Sequence, residues 1–172
     1  MDIYYPILPI QQPTNTSCWI TSLTIIKRWK ENDSDLKISE VLEVLGDPYK
    51  LFFEIDNGLP HTEIEGFFEK ANMDFNEPQN YSIDGWIDLL SNKGPILVDV
   101  LSFIDSSANT IWTHAKVLVG ISKNIENLYH SNFVFIDPAS GEEKEETFQN
   151  FLAAYEAEPQ NQIDNIQVAF SK

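Results

Sequence analysis

One thiol, one imidazole, one carboxylate and one side-chain amide in this chain stand where they could together carry out acyl transfer. The thiol is Cys18, the single cysteine of 172 residues. It follows the polar run Gln12-Pro-Thr-Asn-Thr-Ser17 and precedes Trp19-Ile-Thr-Ser-Leu-Thr-Ile-Ile-Lys-Arg-Trp29. In the second run Trp19, Ile20, Leu23, Ile26 and Trp29 recur at helical spacing, and Lys27, Arg28 and Lys30 suit a helix C-terminus. Cys18 therefore stands at a helix N-terminus, where unpaired backbone N–H groups and the helix dipole favour thiolate over thiol. Six positions upstream, the Gln12 amide can donate a hydrogen bond to a developing oxyanion. A lone cysteine read without this context is more often a small buried hydrophobe.

The imidazole and the carboxylate come from the other half of the chain. Pro95–Phe103 reads as a mostly buried strand, Ser102–Thr113 as a polar loop carrying Trp112, and His114–Ile121 and Asn132–Asp137 as two further strands. The connection from Ser122 to Ser131 is short enough for an antiparallel hairpin and too short for a helical crossover. In such a pair the first residue of one strand lies beside the last of the next, which puts His114 next to Asp137. A carboxylate there holds the imidazole in one tautomer and stabilises its charged form. Each residue also has a plainer reading: His114 as a strand-end hydrogen bonder, Asp137 before Pro138 as a turn former, Gln12 as a surface amide. Trp19 and Trp29 read as core, and Trp112 as a packing residue before a subsite. His61 and His130 fall in exposed positions, and the three histidines share no ligand spacing, so neither a catalytic metal nor a cofactor is expected.

The elements around these residues divide by type. Residues 3–10 are extended and broken by Pro6 and Pro9. Leu36–Leu45 reads as a short helix stopped by Gly46, and Asp47-Pro48 as a turn. Thr62 and Glu65 form a capping-box pair opening a helix through Ala71. Ser82 caps a helix over Ile83–Leu90, Thr147–Glu156 is an amphipathic helix, and Ile166–Phe170 is a last strand. Helices first and strands second predict an α+β fold in one domain, 1–172, with a helical part over about 1–93 and a sheet part over about 94–172. The expected packing sets the helix that begins at Cys18 on an antiparallel sheet.

With that order established, Gln-x5-Cys-Trp, a Gly-Pro-led strand, His-Ala-x-Val-x-x-Gly-Ile and Phe-Ile-Asp-Pro-x-x-Gly together resemble the papain-like cysteine peptidases. The chain is most similar to their compact bacterial branches, the bacteriocin-processing-like peptidases and the secreted effector proteases of plant-pathogenic bacteria. The resemblance runs from about Tyr4 to Tyr155. It implies a papain-like fold, Cys18 as nucleophile, His114 as general base and then acid, Asp137 as the orienting residue, and Gln12 with the Cys18 backbone N–H as the oxyanion hole. The distance from Cys18 to His114, 114 − 18 = 96 residues, is shorter than the ~130–150 of papain and the cathepsins, as expected of a trimmed variant.

The composition narrows the partners. Eleven Lys and Arg face 27 Asp and Glu, a formal charge of −16. Such a surface repels nucleic acid and anionic membrane, and suits a basic partner or substrate. No apolar run approaches the ~18 residues of a membrane span, and Met1-Asp-Ile-Tyr lacks the basic start of a secretory signal. The expectation is a cysteine endopeptidase made in a cytoplasm without a signal peptide and delivered into a target cell by a specialised secretion system. Its partners would be a protein substrate and a cognate inhibitor or immunity protein. The same thiol–imidazole pair also serves deamidation, transglutamination or peptidoglycan amide hydrolysis. A catalytically silent peptidase-like binding module is the alternative of another class.

Overall fold

A computed structural model describes residues 2–77, 79–105, 110–157 and 166–172. In chain order the elements are β1 (Ile3–Tyr4), α1 (Cys18–Glu31), α2 (Ile38–Leu45), α3 (Tyr49–Glu54), α4 (Ile64–Lys70), β2 (Met73–Asn76) and α5 (Ile83–Lys93). There follow β3 (Ile96–Asp105), β4 (Thr110–Ser122), β5 (Asn132–Asp137), β6 (Glu142–Thr147), α6 (Phe148–Ala157) and β7 (Val168–Ser171). All strand pairings are antiparallel, in the order β2-β7-β3-β4-β5-β6, with β1 pairing the far end of β4. The architecture is α+β, as the order of patterns predicts.

Alternation along the strands decides what covers the sheet. Leu97, Ala115, Val117, Val134 and Ile136 point to one face and join the core of α1, α2 and α4. Val98, Val100, Leu118, Phe133 and Phe135 point to the other, beneath α5 and α6. There Trp86, fully buried, lies edge-on to Phe151 and Tyr155 at 5.3 and 5.5 Å between ring centroids. Both sheet faces are covered, and α1 is sandwiched between its sheet face and the small helices.

That position shapes α1. Every residue from Trp19 to Ile26 is buried. Three of these are hydroxyls, and each is satisfied: Thr21 Oγ1 donates to the Ser17 carbonyl and Thr24 Oγ1 to the Ile20 carbonyl, both at 2.8 Å. Ser22 Oγ donates instead to the Ala115 carbonyl at 3.2 Å, tying the helix to β4 one residue past His114. Buried polar groups must be paired in this way. Asn32 in the left-handed region closes the helix.

Several elements differ from the sequence reading. The expected loop over 102–113 is strand at both ends, because β3 runs to Asp105 and β4 starts at Thr110; its centre, 106–109, lies outside the described residues. The expected helix from Thr62 starts as a 3₁₀ turn over His61–Glu63 and becomes α-helical at Ile64, with no side-chain cap. The Ser82 cap is present, accepting from the Gly85 N–H at 3.1 Å. α3, β2 and β6 carry no pattern strong enough to read. β6 is Glu-Glu-Lys-Glu-Glu-Thr, poor strand-forming chemistry that the ladder to β5 imposes on an exposed edge.

Gly94 ends α5 at φ +78°, and a Cβ there would enter the Trp29 ring. Left-handed strain and overpacking then act together, so Gly94→Ala is expected to cost about 2–4 kcal/mol, read from urea unfolding midpoints at unchanged m-value.

Candidate active site

The N-terminus of α1 meets the ends of β3, β4 and β5 at a cleft of about 670 Å³, and Gln12, Cys18, His114 and Asp137 all line it. His114 Nε2 lies 2.7 Å from Asp137 Oδ1. The hairpin register explains the pairing. Val117 faces Ile136, so the next pair along the ladder would set Asp137 opposite Lys116, and His114 lies two residues further on the same face. A diagonal neighbour at that distance is within reach of a long side chain. With Nε2 committed to Asp137, Nδ1 is the ring nitrogen left to exchange a proton elsewhere.

Asp137 is heavily tied down. Oδ1 also accepts from the Ala139 N–H at 2.9 Å, and Oδ2 accepts from Lys144 Nζ at 2.5 Å. Burial raises its pKa, but the Lys144 and His114 hydrogen bonds outweigh burial and carry it down to about 2. Lys144 belongs to β6 and had no reading from sequence; the only trace of it is a single cation within Glu142-Glu-Lys-Glu-Glu146.

Cys18 opens α1 behind Ser17, whose hydroxyl accepts from the Thr14 N–H at 3.1 Å rather than capping the helix. The residue is partly exposed to the cleft, but desolvation dominates at the sulfur and raises the thiol to about 11. N–H groups of Ala115, Trp19 and Cys18 itself pull downward, and the charge of Asp99 pushes up. The resting thiolate expected from the helix terminus alone is thus outweighed by burial. At this site burial favours the thiol over the thiolate.

Gln12 is anchored at both ends of its surroundings. Its N–H donates to the Pro138 carbonyl at 2.8 Å, joining the loop before α1 to the turn after Asp137. Gly141, at φ +68°, leaves room for that approach, since a Cβ there would meet Gln11 at 2.7 Å. The Gln12 side chain donates both amide hydrogens within its own loop, to the Thr14 carbonyl at 2.8 Å and the Asn15 carbonyl at 3.0 Å. Its Oε1 is buried without a hydrogen-bond partner among the described residues. Donation to an oxyanion therefore requires one of those carbonyls to be released.

The aromatic expectations separate. Trp29 is core, edge-on to Tyr5 at 5.5 Å. Trp19 is both core and cleft wall, 5% exposed against Phe67. Trp112, expected to pack, is 41% exposed at the cleft mouth. His61 and His130 are exposed, and no cluster fit for a metal ion occurs among the described residues. Nor is any described helix long and apolar enough to cross a membrane.

Residues 4–156 match the family model of the papain-like cysteine protease AvrRpt2. The chain belongs to that family. Its fold also matches the crystal structure of a protein from Bacillus anthracis described as a C39-like peptidase, with a TM-score of 0.59, 14% identity, and coverage of 99% of this chain and 97% of that one. No curated protein sequence matches the chain. The chain is a papain-like cysteine peptidase, and the cleft with its thiol and imidazole is where such chemistry can occur.

The charged form of Asp137 is favoured by folding, from an ordinary value of 3.8 to about 2. A lowered carboxylate stabilises the fold above its unfolded pKa and loses that contribution as pH falls through the folded one. Asp137→Asn is expected to cost about 1–2 kcal/mol near pH 7 after solvent screening. The difference from wild type should vanish between about pH 4 and pH 2, followed by urea denaturation across that range.

Proposed function

We propose that this protein is an endopeptidase that hydrolyses a protein of a target cell through a Cys18–His114–Asp137 triad. The observation that carries the reading is the 2.7 Å contact of His114 Nε2 with Asp137 Oδ1 in the cleft that also holds the Cys18 thiol at a helix N-terminus. His114 Nδ1 takes the thiol proton, and the sulfur attacks the scissile carbonyl. The tetrahedral oxyanion is held by the Cys18 N–H, and by Gln12 once its side chain leaves the Thr14 or Asn15 carbonyl. Collapse breaks the C–N bond as His114 returns the proton to the leaving amine. Water, deprotonated by His114, then hydrolyses the thioester. Asp137 keeps the imidazole oriented and its cation stabilised throughout.

The raised thiol makes the proton acceptor decisive. Formation of the thiolate in place would be negligible at neutral pH without His114, because burial holds the sulfur up at about 11. The low carboxylate of Asp137 supplies the compensating negative charge beside the imidazolium.

Delivery into a target cell by a specialised secretion system is supported by the resemblance to secreted effector proteases. A cognate inhibitor or immunity protein is the partner that a producing cell would require of such an enzyme. The charge of −16 suits basic protein substrates.

Expressing wild type and Cys18→Ala side by side and sequencing terminal peptides tests the reaction. New peptide termini should appear with wild type only, with activity lower by more than about 10³-fold in the variant. One-unit mass shifts on Gln or Asn without new termini would replace proteolysis by deamidation. The proton transfer has its own readout. Iodoacetamide labelling of Cys18 at neutral pH should be clearly faster in wild type than in His114→Ala, because the buried thiol, held up at about 11, ionises only as its proton passes to the imidazole.

A further inference from the structure

Alternation puts His114 and Lys116 on one face of β4, and Lys144 and Glu146 on one face of β6. The β4–β5 ladder sets Lys116 nearest to Asp137, since Val117 faces Ile136. Lys116 nevertheless goes elsewhere. Its ammonium lies 4.0 Å from the centre of the Phe135 ring and pairs with Glu146. Lys144 stands opposite Phe135 in the β5–β6 ladder and reaches along it to Asp137 Oδ2 at 2.5 Å. Glu146 thereby holds the cation that would otherwise compete for Asp137.

The choice of Asp137 is selective, because Lys144 is flanked by four glutamates in Glu142-Glu-Lys-Glu-Glu146. Glu143 accepts from the Tyr4 hydroxyl at 2.7 Å, and Glu145 from Asn132 Nδ2 at 3.5 Å. The consequence lies at His114. The Cys18 thiol rests protonated, since burial holds it up at about 11. An imidazole that is to take that proton must itself rest uncharged. A carboxylate 2.7 Å away works the other way, because an opposite charge favours the imidazolium. The other charged groups on the elements around His114 are Asp99 of β3, which lines the same cleft, Glu142, opposite Asp137 on β6, and the Lys116–Glu146 pair. With Lys116 committed to Glu146, Lys144 is the cation placed to offset Asp137.

We infer that Lys144 is a positioning residue of this site. Its ammonium fixes Oδ2 of Asp137, keeps Oδ1 on His114 Nε2, and offsets the carboxylate charge so that the imidazole rests uncharged and open to the thiol proton. The inference rests on the proposed Cys18 chemistry and deepens it by naming what sets its pH range. The proton moves from sulfur to His114 Nδ1 and the S–H electron pair stays on the sulfur. Lys144 neither gives nor takes a proton in that step. It acts through Asp137 alone.

The test follows iodoacetamide labelling of Cys18 against pH by intact mass, and reads the pH at which the rate is half its plateau. Lys144→Gln keeps an amide donor without the charge, and Lys144→Met keeps neither. Both should move the half-point upward by about 0.3–1 unit from wild type, the range of a half-exposed charge acting through a neighbour. On the acid side of the curve that is labelling about two- to tenfold slower. Lys144→Arg should keep the wild-type half-point. Lys172→Gln removes a cation paired with Asp74 at the opposite edge of the sheet, and should leave the half-point unmoved. Lys144 is 53% exposed on an edge strand, so the variants should keep their fold, checked by urea midpoints. A half-point that stays put in Lys144→Gln and Lys144→Met, even with a lower plateau, overturns the inference. So does one that Lys172→Gln moves equally. Labelling that depends on His114 but is indifferent to Lys144 removes only the role of Lys144. Labelling no faster than free cysteine, with or without His114, removes the catalytic reading and this one with it.

Discussion

The burial of α1 from Trp19 to Ile26 is the constraint on which the rest depends. A helix with eight successive buried residues cannot be a surface element with one wet face, so the molecule must cover it on every side. The sheet supplies one side, and α2, α4 and the extended N-terminal segment supply much of the other. Its hydroxyls turn inward to its own carbonyls or, at Ser22, across to β4. The helix leaves that core at its two ends, at the half-buried to exposed stretch from Lys27 to Glu31 and at Cys18, which opens on the cleft. The Cys18 thiol stands at the exit of an otherwise dry core.

The same dryness sets the electrostatics. Desolvation raises the Cys18 thiol, while hydrogen bonds from Lys144, His114 and the Ala139 N–H lower the Asp137 carboxylate. The environments push the two groups in opposite directions, which is how a site assigns proton donors and acceptors. Lys144 has a part in this that the three-residue picture omits. It neutralises the outer oxygen of Asp137 and leaves Oδ1 to the imidazole. The acidic edge strand that brings Lys144 is thus more than a solubilising rim.

Loops and turns hold the site as firmly as the regular elements. The Thr16 N–H and hydroxyl both donate to Asp56 Oδ1, and the Gly58 N–H donates to Thr16 Oγ1, so the loop before Cys18 is moored to the stretch between α3 and α4. On the opposite side, the backbone bond from Gln12 to Pro138 moors it to the turn after β5. Cys18 and Asp137 are therefore tied together through the backbone from Gln12 to Cys18 and the turn at Pro138. Such bracing holds reacting groups in register, which is much of what a catalytic scaffold supplies.

Read by itself, the chain determined α1, the strands over Pro95–Phe103, His114–Ile121 and Asn132–Asp137, and the meeting of His114 with Asp137. These signals are local: 3.6-residue periodicity, dense apolar strands, and a connection too short for a crossover. Cys18 and Gln12 were legible because a polar run abuts an apolar one at a single point. Only the tertiary structure decided the remainder. The strand β6 exists because β5 offers an unpaired ladder, not because four glutamates favour extension, and β2 is paired by a strand almost a hundred residues away. Lys144 acquires its meaning from Asp137 on the neighbouring strand. The state of the Cys18 sulfur went against the helix-terminus argument because a dipole acts within one turn, whereas desolvation is summed over every element that closes around the thiol.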